Sequence, residues 1–157
     1  MVDHVESGRG AMSKGLLDHA QKMANKNVEI FSEIIKAESP LLGVEPSAIL
    51  SFRDEYPRLV SPEYKERARS LKFHCELVDE FLAKESLAGN ITAESFTKER
   101  RQVKLHGHCH QKALSSVNYS KKILELPQNY QVTVIPSGCC GMAGSFGYEK
   151  EHYELSM

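Results

Sequence analysis

Cysteine and histidine, the side chains that bind soft metals most readily, are concentrated in two short segments of this chain. In one of them Cys139 and Cys140 are adjacent and lie between Gly138 and Gly141. Neighbouring Cα atoms are about 3.8 Å apart, closer than a disulfide usually requires, so a disulfide between these two cysteines is strained. A bound metal relieves the repulsion between two thiolates, and the glycines offer unhindered N–H groups to its sulfurs. The alternative is a metal-free tight turn with two small buried cysteines.

The second segment reads His106-Gly107-His108-Cys109-His110. In an extended segment its three histidines point to one face and Cys109 points to the other. Thiolate and imidazole together suit zinc or iron, so we predict Cys109 as a metal ligand and take His108 or His110 as the candidate fourth ligand. The alternative for each histidine is a structural role, in which the ring caps the following helix or bonds a backbone carbonyl.

The remaining cysteine, Cys75, lies in a different kind of pattern. We predict a helix from Ser61 to about Lys84, with Ser61 as its N-cap. Cys75 falls in the apolar stripe of that helix, where a free cysteine behaves as a small hydrophobe. The other members of the stripe are Ala68, Leu71, Val78 and Leu82. Cys75 is therefore predicted to be buried and to bind no metal.

Three predicted strands position the two metal-binding segments. They cover residues 41–44, 102–106 and 131–135, and helices are predicted over residues 13–37, over 111–124 and from about 145 onward. Strands that alternate with helices form parallel sheets, whose strand C-termini share one edge. We therefore expect the loops at 45–48, 106–110 and 137–141 to meet. The predicted fold is α/β, a small parallel sheet of three or four strands with helices on both faces.

Composition limits the classes of function. The chain has 157 residues, 41% of them hydrophobic and 26% charged, with a net charge of −1, which fits one globular domain over residues 1–157. No basic patch indicates a nucleic-acid partner. We see no signal peptide and no transmembrane segment, and we expect a cytoplasmic protein with reduced or metal-bound cysteines. No phosphate-binding loop, dinucleotide fingerprint or CxxC pair is present, and Arg53-Asp54-Glu55 is interpreted as a solvated helix face.

A family resemblance joins the two segments. His108-Cys109-His110, about 30 residues before Gly138-Cys139-Cys140-Gly141, resembles the core of the cysteine-rich, or CCG, domain. That domain occurs in one of the subunits of heterodisulfide reductase and in the iron–sulfur subunit of glycolate oxidase. It also closes fusion proteins that join an FAD-linked oxidase domain, a ferredoxin-like segment and CCG domains, of the D-lactate, glycolate or D-2-hydroxyglutarate dehydrogenase type. The resemblance to this fusion group is strongest at residues 44–47, 52–57, 106–114 and 137–151.

The resemblance implies an iron–sulfur electron-transfer domain of an FAD-linked 2-hydroxy-acid dehydrogenase. Cys109, Cys139 and Cys140 would bind the cluster, of the 4Fe–4S type, with Gly138 and Gly141 beside it and no residue of this chain catalytic. FAD would belong to the parent protein and not to this chain. The partners implied are the flavin domain and the ferredoxin-like domain of the same polypeptide, together with an electron acceptor that the sequence does not identify.

Two departures from the family pattern accompany the resemblance. Ala48 stands where family members often have a cysteine, and the family's further cysteine-bearing segment would lie beyond Met157. We therefore expect the chain to be an excised C-terminal fragment of a larger multidomain oxidoreductase, with an incomplete cluster site and no activity alone.

Two functions of other classes remain open on the sequence. In the first, three cysteines and one histidine form a closed tetrahedral zinc site in a structural or docking module. In the second, the chain is a metal-free α/β scaffold. The metal content of protein purified anaerobically separates them from the electron-transfer domain.

Overall fold

The structure, a computed structural model, describes residues 2–141 and 146–157. The helices there are α1 Arg9–Ser13, α2 Leu17–Ile34, α3 Pro46–Ser51, α4 Tyr56–Leu59, α5 Lys65–Leu71, α6 Val78–Leu87, α7 Cys109–Leu114, α8 Val117–Leu124 and α9 Tyr153–Ser156. The strands are β1 Leu41–Gly43, β2 Cys75–Leu77, β3 Arg101–Leu105 and β4 Tyr130–Val134. Short 3₁₀ turns lie at Pro62–Tyr64, Lys72–His74, Ala93–Ser95, Phe146–Tyr148 and Lys150–His152.

The four strands form two parallel pairs. β1 pairs with β2, with Leu41 opposite Cys75, and β3 pairs with β4, with Arg101 opposite Tyr130. Helices connect the two strands of each pair, so two strand–helix–strand units follow one another along the chain. The predicted α/β class with parallel strands is confirmed. Within the described residues the strands are divided between two sheets of two strands, where we expected one sheet of three or four.

Most of the core belongs to the first unit. The helix predicted over residues 13–37 is confirmed as α2, whose apolar stripe packs on α4 and α5. Phe31 contacts Phe52 edge-on and Tyr56 contacts it with a tilted ring, with ring centroids 5.9 and 4.2 Å from that of Phe52. The buried stripe of α2 consists of Ala20, Ala24, Val28 and Phe31. Burial of each large side chain in such a core contributes about 1.5–3 kcal/mol, which makes this unit the main source of stability.

The predicted helix from Ser61 to Lys84 is wrong. α5 ends at Leu71, the chain passes through the 3₁₀ turn and β2, and α6 begins at Val78. Cys75 and Leu77 lie on the buried face of β2, which pairs in parallel with β1. Arg53 Nε donates to the Cys75 carbonyl, and the Leu77 N–H donates to the Glu80 carboxylate. Tertiary pairing has overridden a helical periodicity that was real in the sequence. The predicted burial of Cys75 is confirmed, since its side chain is 0% exposed.

The second unit has a half-covered sheet. Burial alternates along β3 and β4, and Val132 is buried while the intervening residues of both strands face solvent. Both strands match the predicted ones to within one residue. The predicted helix 111–124 is interrupted at Ser115, and the Ser116 side chain caps α8 by accepting a hydrogen bond from the Asn118 N–H. The start predicted for the last helix, Ser145, lies outside the described residues.

A buried carboxylate links the two units. Glu80, at the start of α6, is 5% exposed and accepts hydrogen bonds from Arg53 at 3.0 and 2.5 Å and from the Leu77 N–H at 2.9 Å. Ser115, between α7 and α8, donates its hydroxyl to the same carboxylate. Burial by itself raises the pKa of Glu80, but these hydrogen bonds outweigh it and hold the pKa below its ordinary value. The sequence indicated that Arg53 belongs to a solvated helix face. This prediction is wrong, because Arg53 pairs with the buried Glu80.

The part of the chain that the structure describes contains no helix long and apolar enough to cross a membrane.

Candidate metal centre

The loop after β1 ends in a carboxylate cap. Glu45 is the N-cap of α3, and its side chain accepts hydrogen bonds from the N–H groups of Ser47 at 3.0 Å and Ala48 at 2.5 Å. The Ser47 hydroxyl donates to it as well, at 2.9 Å. Burial raises the pKa of Glu45, but hydrogen bonds to Ser47 and Ala48 and the nearby His108 more than offset it and lower the pKa. Glu45 is thus held as an oriented anion at the edge of the site.

The loop after β3 brings two histidines and a cysteine together. His108 is the N-cap of α7, where its Nδ1 accepts a hydrogen bond from the His110 N–H at 3.2 Å. Cys109 and His110 form the first turn of that helix, so Cys109 does not point away from the histidines, as the extended conformation predicted. One ligand atom of each of these three residues lies within 4.8 Å of the others. Helical geometry has replaced the alternation of a strand and made a compact ligand group.

The double-cysteine loop after β4 is held against the same helix. Lys112, on α7, donates to the carbonyls of Ser137 at 2.6 Å and Gly138 at 3.0 Å. The Gly141 N–H lies 3.4 Å from Cys139 Sγ, and the φ of +83° at Gly141 favours glycine. That N–H first, and then the side chains of Cys109 and Cys140, lower the pKa of the Cys139 thiol. Cys139 therefore lies within interaction range of Cys109.

The predicted meeting of the three loops is confirmed. Glu45 Oε1 lies 3.7 Å from His108 Nε2, His106 Nε2 lies 3.4 Å from the Gly138 carbonyl oxygen, and Cys139 interacts with Cys109. The thiols of Cys109, Cys139 and Cys140 are free and exposed. Imidazole nitrogens lie beside the Cys109 thiol, and thiols and imidazoles are donors that suit iron–sulfur clusters and zinc.

Cys75 takes no part in this site. It lies in the core of the first unit, and its Sγ donates to the Leu71 carbonyl at 3.3 Å. Burial raises the pKa of its thiol to about 12. A buried thiol that stays protonated is a poor metal ligand.

Each histidine of the ligand group has a carboxylate behind it. Glu45 lies behind His108, and Glu55 Oε1 lies 3.9 Å from His110 Nε2. Arg9, from α1, forms an ion pair with Glu55. Burial lowers the pKa of His110, the charge of Arg9 lowers it further, and Glu55 opposes them, so the net effect favours the neutral imidazole. A neutral imidazole is the form that binds metals.

Sequence reasoning missed three residues of this surrounding shell. The sequence places Glu55 on a solvated helix face and Glu45 in a loop, and it gives no signal for Lys112. Glu45 carried one usable signal, since an acidic residue before Pro46 at a helix start is a recognisable cap. Glu55 contacts His110, 55 residues away, and Lys112 contacts Ser137, 25 residues away. Local sequence patterns give no information about contacts at such separations.

Comparisons with known proteins indicate oxidoreductases. The chain is 28% identical over 146 residues to one of the subunits of the anaerobic glycerol-3-phosphate dehydrogenase of Escherichia coli K12, an alignment that covers 92% of this chain and 35% of the relative. It is 27% identical over 155 residues to the D-2-hydroxyglutarate dehydrogenase of the same strain, covering 96% of this chain and 14% of the relative. The D-2-hydroxyglutarate dehydrogenase of Haemophilus influenzae is 28% identical over 156 residues, with the same coverage.

The chain is similar to segments of dehydrogenases. It spans about a third of the first of these relatives and about a seventh of the other two. No family model matches the chain. No solved structure matches it either. The similarity therefore supports an origin in oxidoreductases, while the site itself has to be interpreted from its own geometry.

Proposed function

We propose that this chain is the iron–sulfur electron-transfer region of an FAD-linked dehydrogenase that oxidises 2-hydroxy acids of the glycolate, D-lactate or D-2-hydroxyglutarate type. One observation carries the proposal: two loops that are distant in sequence place Cys139 near Cys109, and the thiols of Cys109, Cys139 and Cys140 are all free and exposed. The similarity of nearly the whole chain to segments of D-2-hydroxyglutarate dehydrogenases supports the reaction class. In this proposal residues 1–157 form one cysteine-rich domain of a longer protein.

The donor set of the site fits a cluster. Cys109, Cys139 and Cys140 would be its thiolate ligands, and the Gly141 N–H is placed to donate to the sulfur of Cys139. Hydrogen bonds of this kind help to set the potential of iron–sulfur centres. A bound cluster would accept and release electrons one at a time. The chain's own contribution is to hold the ligands in place, through the α7 cap and the Lys112 contacts with the double-cysteine loop.

The parent protein would provide the rest of the electron path. A flavin domain would accept a hydride from the substrate, and a ferredoxin-like domain would pass electrons on singly. From this region the electrons would pass to an acceptor that the sequence does not identify. A reducing compartment such as the cytoplasm would keep the three thiols available for the cluster.

Anaerobic reconstitution tests the proposal. The reduced chain is incubated with ferrous iron and sulfide, desalted, and analysed for iron, sulfide and visible absorption. We expect broad absorption in the visible region, and iron and sulfide bound in equal amounts. A triple variant that replaces Cys109, Cys139 and Cys140 by serine should lose it, and Cys75→Ala, the matched control, should keep it.

The other outcomes separate the competing functions. Stoichiometric zinc with no capacity for iron and sulfide would replace the proposal by a zinc-binding structural or docking module. Absence of both metals from the reconstituted chain and from the longer parent protein would leave a metal-free scaffold.

A further inference from the structure

We propose that Gln111 and Asp79 are positioning residues that fix helix α7, and with it the place of Cys109 relative to the double-cysteine loop. The inference rests on the proposed function, because it concerns how the same site holds its thiolate ligands. Neither residue is itself a candidate ligand. Both belong to a hydrogen-bond network that joins α7 to α6 and α8.

Gln111 gives α7 its buried side. The helix has six residues, too few to be stable alone, so tertiary contacts have to fix its orientation. Of these six residues Gln111 is the buried one, with 4% of its surface exposed, whereas Cys109 two positions earlier is exposed. A buried amide is costly unless its polar atoms find partners, so the partners of Gln111 favour one orientation of α7.

Two side chains from neighbouring helices meet the Gln111 amide. Its Nε2 donates to Asp79 Oδ2 at 2.8 Å and to Ser120 Oγ at 2.7 Å, and the Ser120 hydroxyl donates to the same Asp79 oxygen. These three hydrogen bonds close a triangle between α6, α7 and α8. A carboxylate only accepts hydrogen bonds, so this arrangement needs a donor at position 111.

Asp79 is itself held at the start of α6. Its other carboxylate oxygen, Oδ1, accepts the Glu80 N–H at 3.1 Å, and the positive end of a helix dipole favours a carboxylate in the first turn. The neighbouring Glu80 accepts a hydrogen bond from Ser115, the residue that follows α7. α6 thus holds α7 at Gln111 and just beyond its C-terminal end.

The orientation of α7 decides where two groups of the site lie. Cys109 and Lys112 belong to the same turn of this helix, and Lys112 donates to the carbonyls of Ser137 and Gly138. A rotation or shift of α7 therefore moves a ligand and also the contact that holds the double-cysteine loop. Ligand groups have to stay within about 0.5 Å of their productive geometry, a precision that supporting hydrogen bonds supply. The Gln111 network is placed to supply it for Cys109.

Crosslinking of two thiols provides a test that needs no metal. Cys75→Ala and Cys140→Ser leave Cys109 and Cys139 as the thiols of the 157-residue chain, and dibromobimane becomes fluorescent when it joins two thiols. The crosslinking rate, divided by the rate of alkylation with monobromobimane, reports how closely the folded chain holds the two sulfurs. A residue that only stabilises the fold would change the free energy of unfolding and leave this ratio unchanged in the folded chain.

Variants of the network are compared in this two-thiol chain. Gln111→Met keeps the length of the side chain and removes its hydrogen bonds. Gln111→Glu places a second carboxylate against Asp79, and adding Asp79→Asn restores a donor–acceptor pair with the direction of the hydrogen bond reversed. Val28→Ala is the control for lost stability, because Val28 is fully buried in the main core cluster. Circular dichroism establishes that each variant is folded.

We expect Gln111→Met and Gln111→Glu to lower the crosslinking ratio at least about fivefold, the factor that corresponds to one lost hydrogen bond. Gln111→Glu combined with Asp79→Asn should recover most of the original ratio, and Val28→Ala should keep all of it. An unchanged ratio in folded Gln111→Met would overturn the inference, and so would a double variant no better than Gln111→Glu. A two-thiol chain that crosslinks no faster than its urea-unfolded form would overturn it as well.

Anaerobic reconstitution with iron and sulfide tests the proposed function separately. We expect the chain with all four cysteines to bind a cluster, Gln111→Met to bind less iron and sulfide under the same conditions, and Val28→Ala to bind as much. A wild-type chain that binds no cluster would overturn the proposed function, even where the crosslinking ratio depends on Gln111. A cluster bound as fully by Gln111→Met as by the wild-type chain would overturn the positioning role and leave the proposed function intact.

Discussion

At the scale of single residues, the four cysteines divide by environment. Cys109, Cys139 and Cys140 are exposed at the meeting point of three loops, and Cys75 is enclosed in the core beside Leu71. The Gly141 N–H lowers the pKa of Cys139, which favours the metal-binding thiolate, whereas burial raises the pKa of Cys75 and favours the thiol, which packs as a small hydrophobe.

Cys75 makes the stability of the chain depend on alkaline pH. Burial raises the pKa of its thiol from about 9.0 to about 12, so the unfolded chain loses this proton at a lower pH than the folded chain. The contribution is complete below about pH 9 and is lost as pH rises towards 12, with a slope of about 1.4 kcal/mol per pH unit. We expect urea unfolding of Cys75→Ala to lack this part of the decline. Tyr56, whose pKa is raised by burial and further by the nearby Cys75, adds to the decline in both proteins, by less in the variant.

The same Cys75→Ala variant should bind as much metal as the wild-type chain. Loss of metal on this substitution, measured by atomic emission after reconstitution, would refute the assignment of Cys75 to the core.

At the scale of elements, glycine allows the ligand loop to lie against α8. A Cβ built on Gly107 would lie 2.4 Å from Val117 Cγ2 and 3.1 Å from Lys112 Cε. The same Lys112 side chain contacts the double-cysteine loop. The close approach of loop and helix at Gly107 therefore helps to fix where Cys109 and the double cysteine meet.

We predict that Gly107→Ala lowers the free energy of unfolding by about 1–3 kcal/mol, because the methyl group overpacks the contact with Val117. Adding Val117→Ala should restore part of the loss, since it removes the colliding methyl groups. Gly10→Ala is the matched control: no atom lies within 4 Å of its Cβ, and alanine favours the helix. Chemical denaturation of the three variants and the double variant measures the coupling. Purely additive effects of Gly107→Ala and Val117→Ala would contradict this account.

At the scale of the whole molecule, burial is uneven. The main core cluster lies in the first unit, around α2 and Tyr56, whereas β3 and β4 have one covered and one solvent-facing side. The buried Glu80 carboxylate ties the units together by its contacts with Arg53 and Ser115. The candidate metal ligands therefore lie in the less buried unit, which contacts the more buried one.

Hydrogen exchange should report this unevenness. Local opening is easier where few apolar contacts are buried, so we expect amides of β3 and β4 to exchange about tenfold or more faster than those in the middle of α2. Mass spectrometry of deuterated peptides makes the measurement. Added Zn²⁺ should slow exchange in residues 106–114 and leave α2 unchanged. Protection of β3 and β4 equal to that of α2 would contradict the description.

The sequence by itself determined the α/β class, helix α2, the strands near residues 41–44, 102–106 and 131–135, and the meeting of three loops. These follow from periodicity and from the common edge of parallel strands, which are local or general properties of a chain. Only the tertiary structure decided that residues 75–77 form a strand, because their helical spacing yields to pairing with β1. It also decided that Arg53 pairs with Glu80, 27 residues away, and that Glu55 lies behind His110. Side chains so far apart meet only when the core between them has packed, and no pattern within a short window of sequence records that meeting.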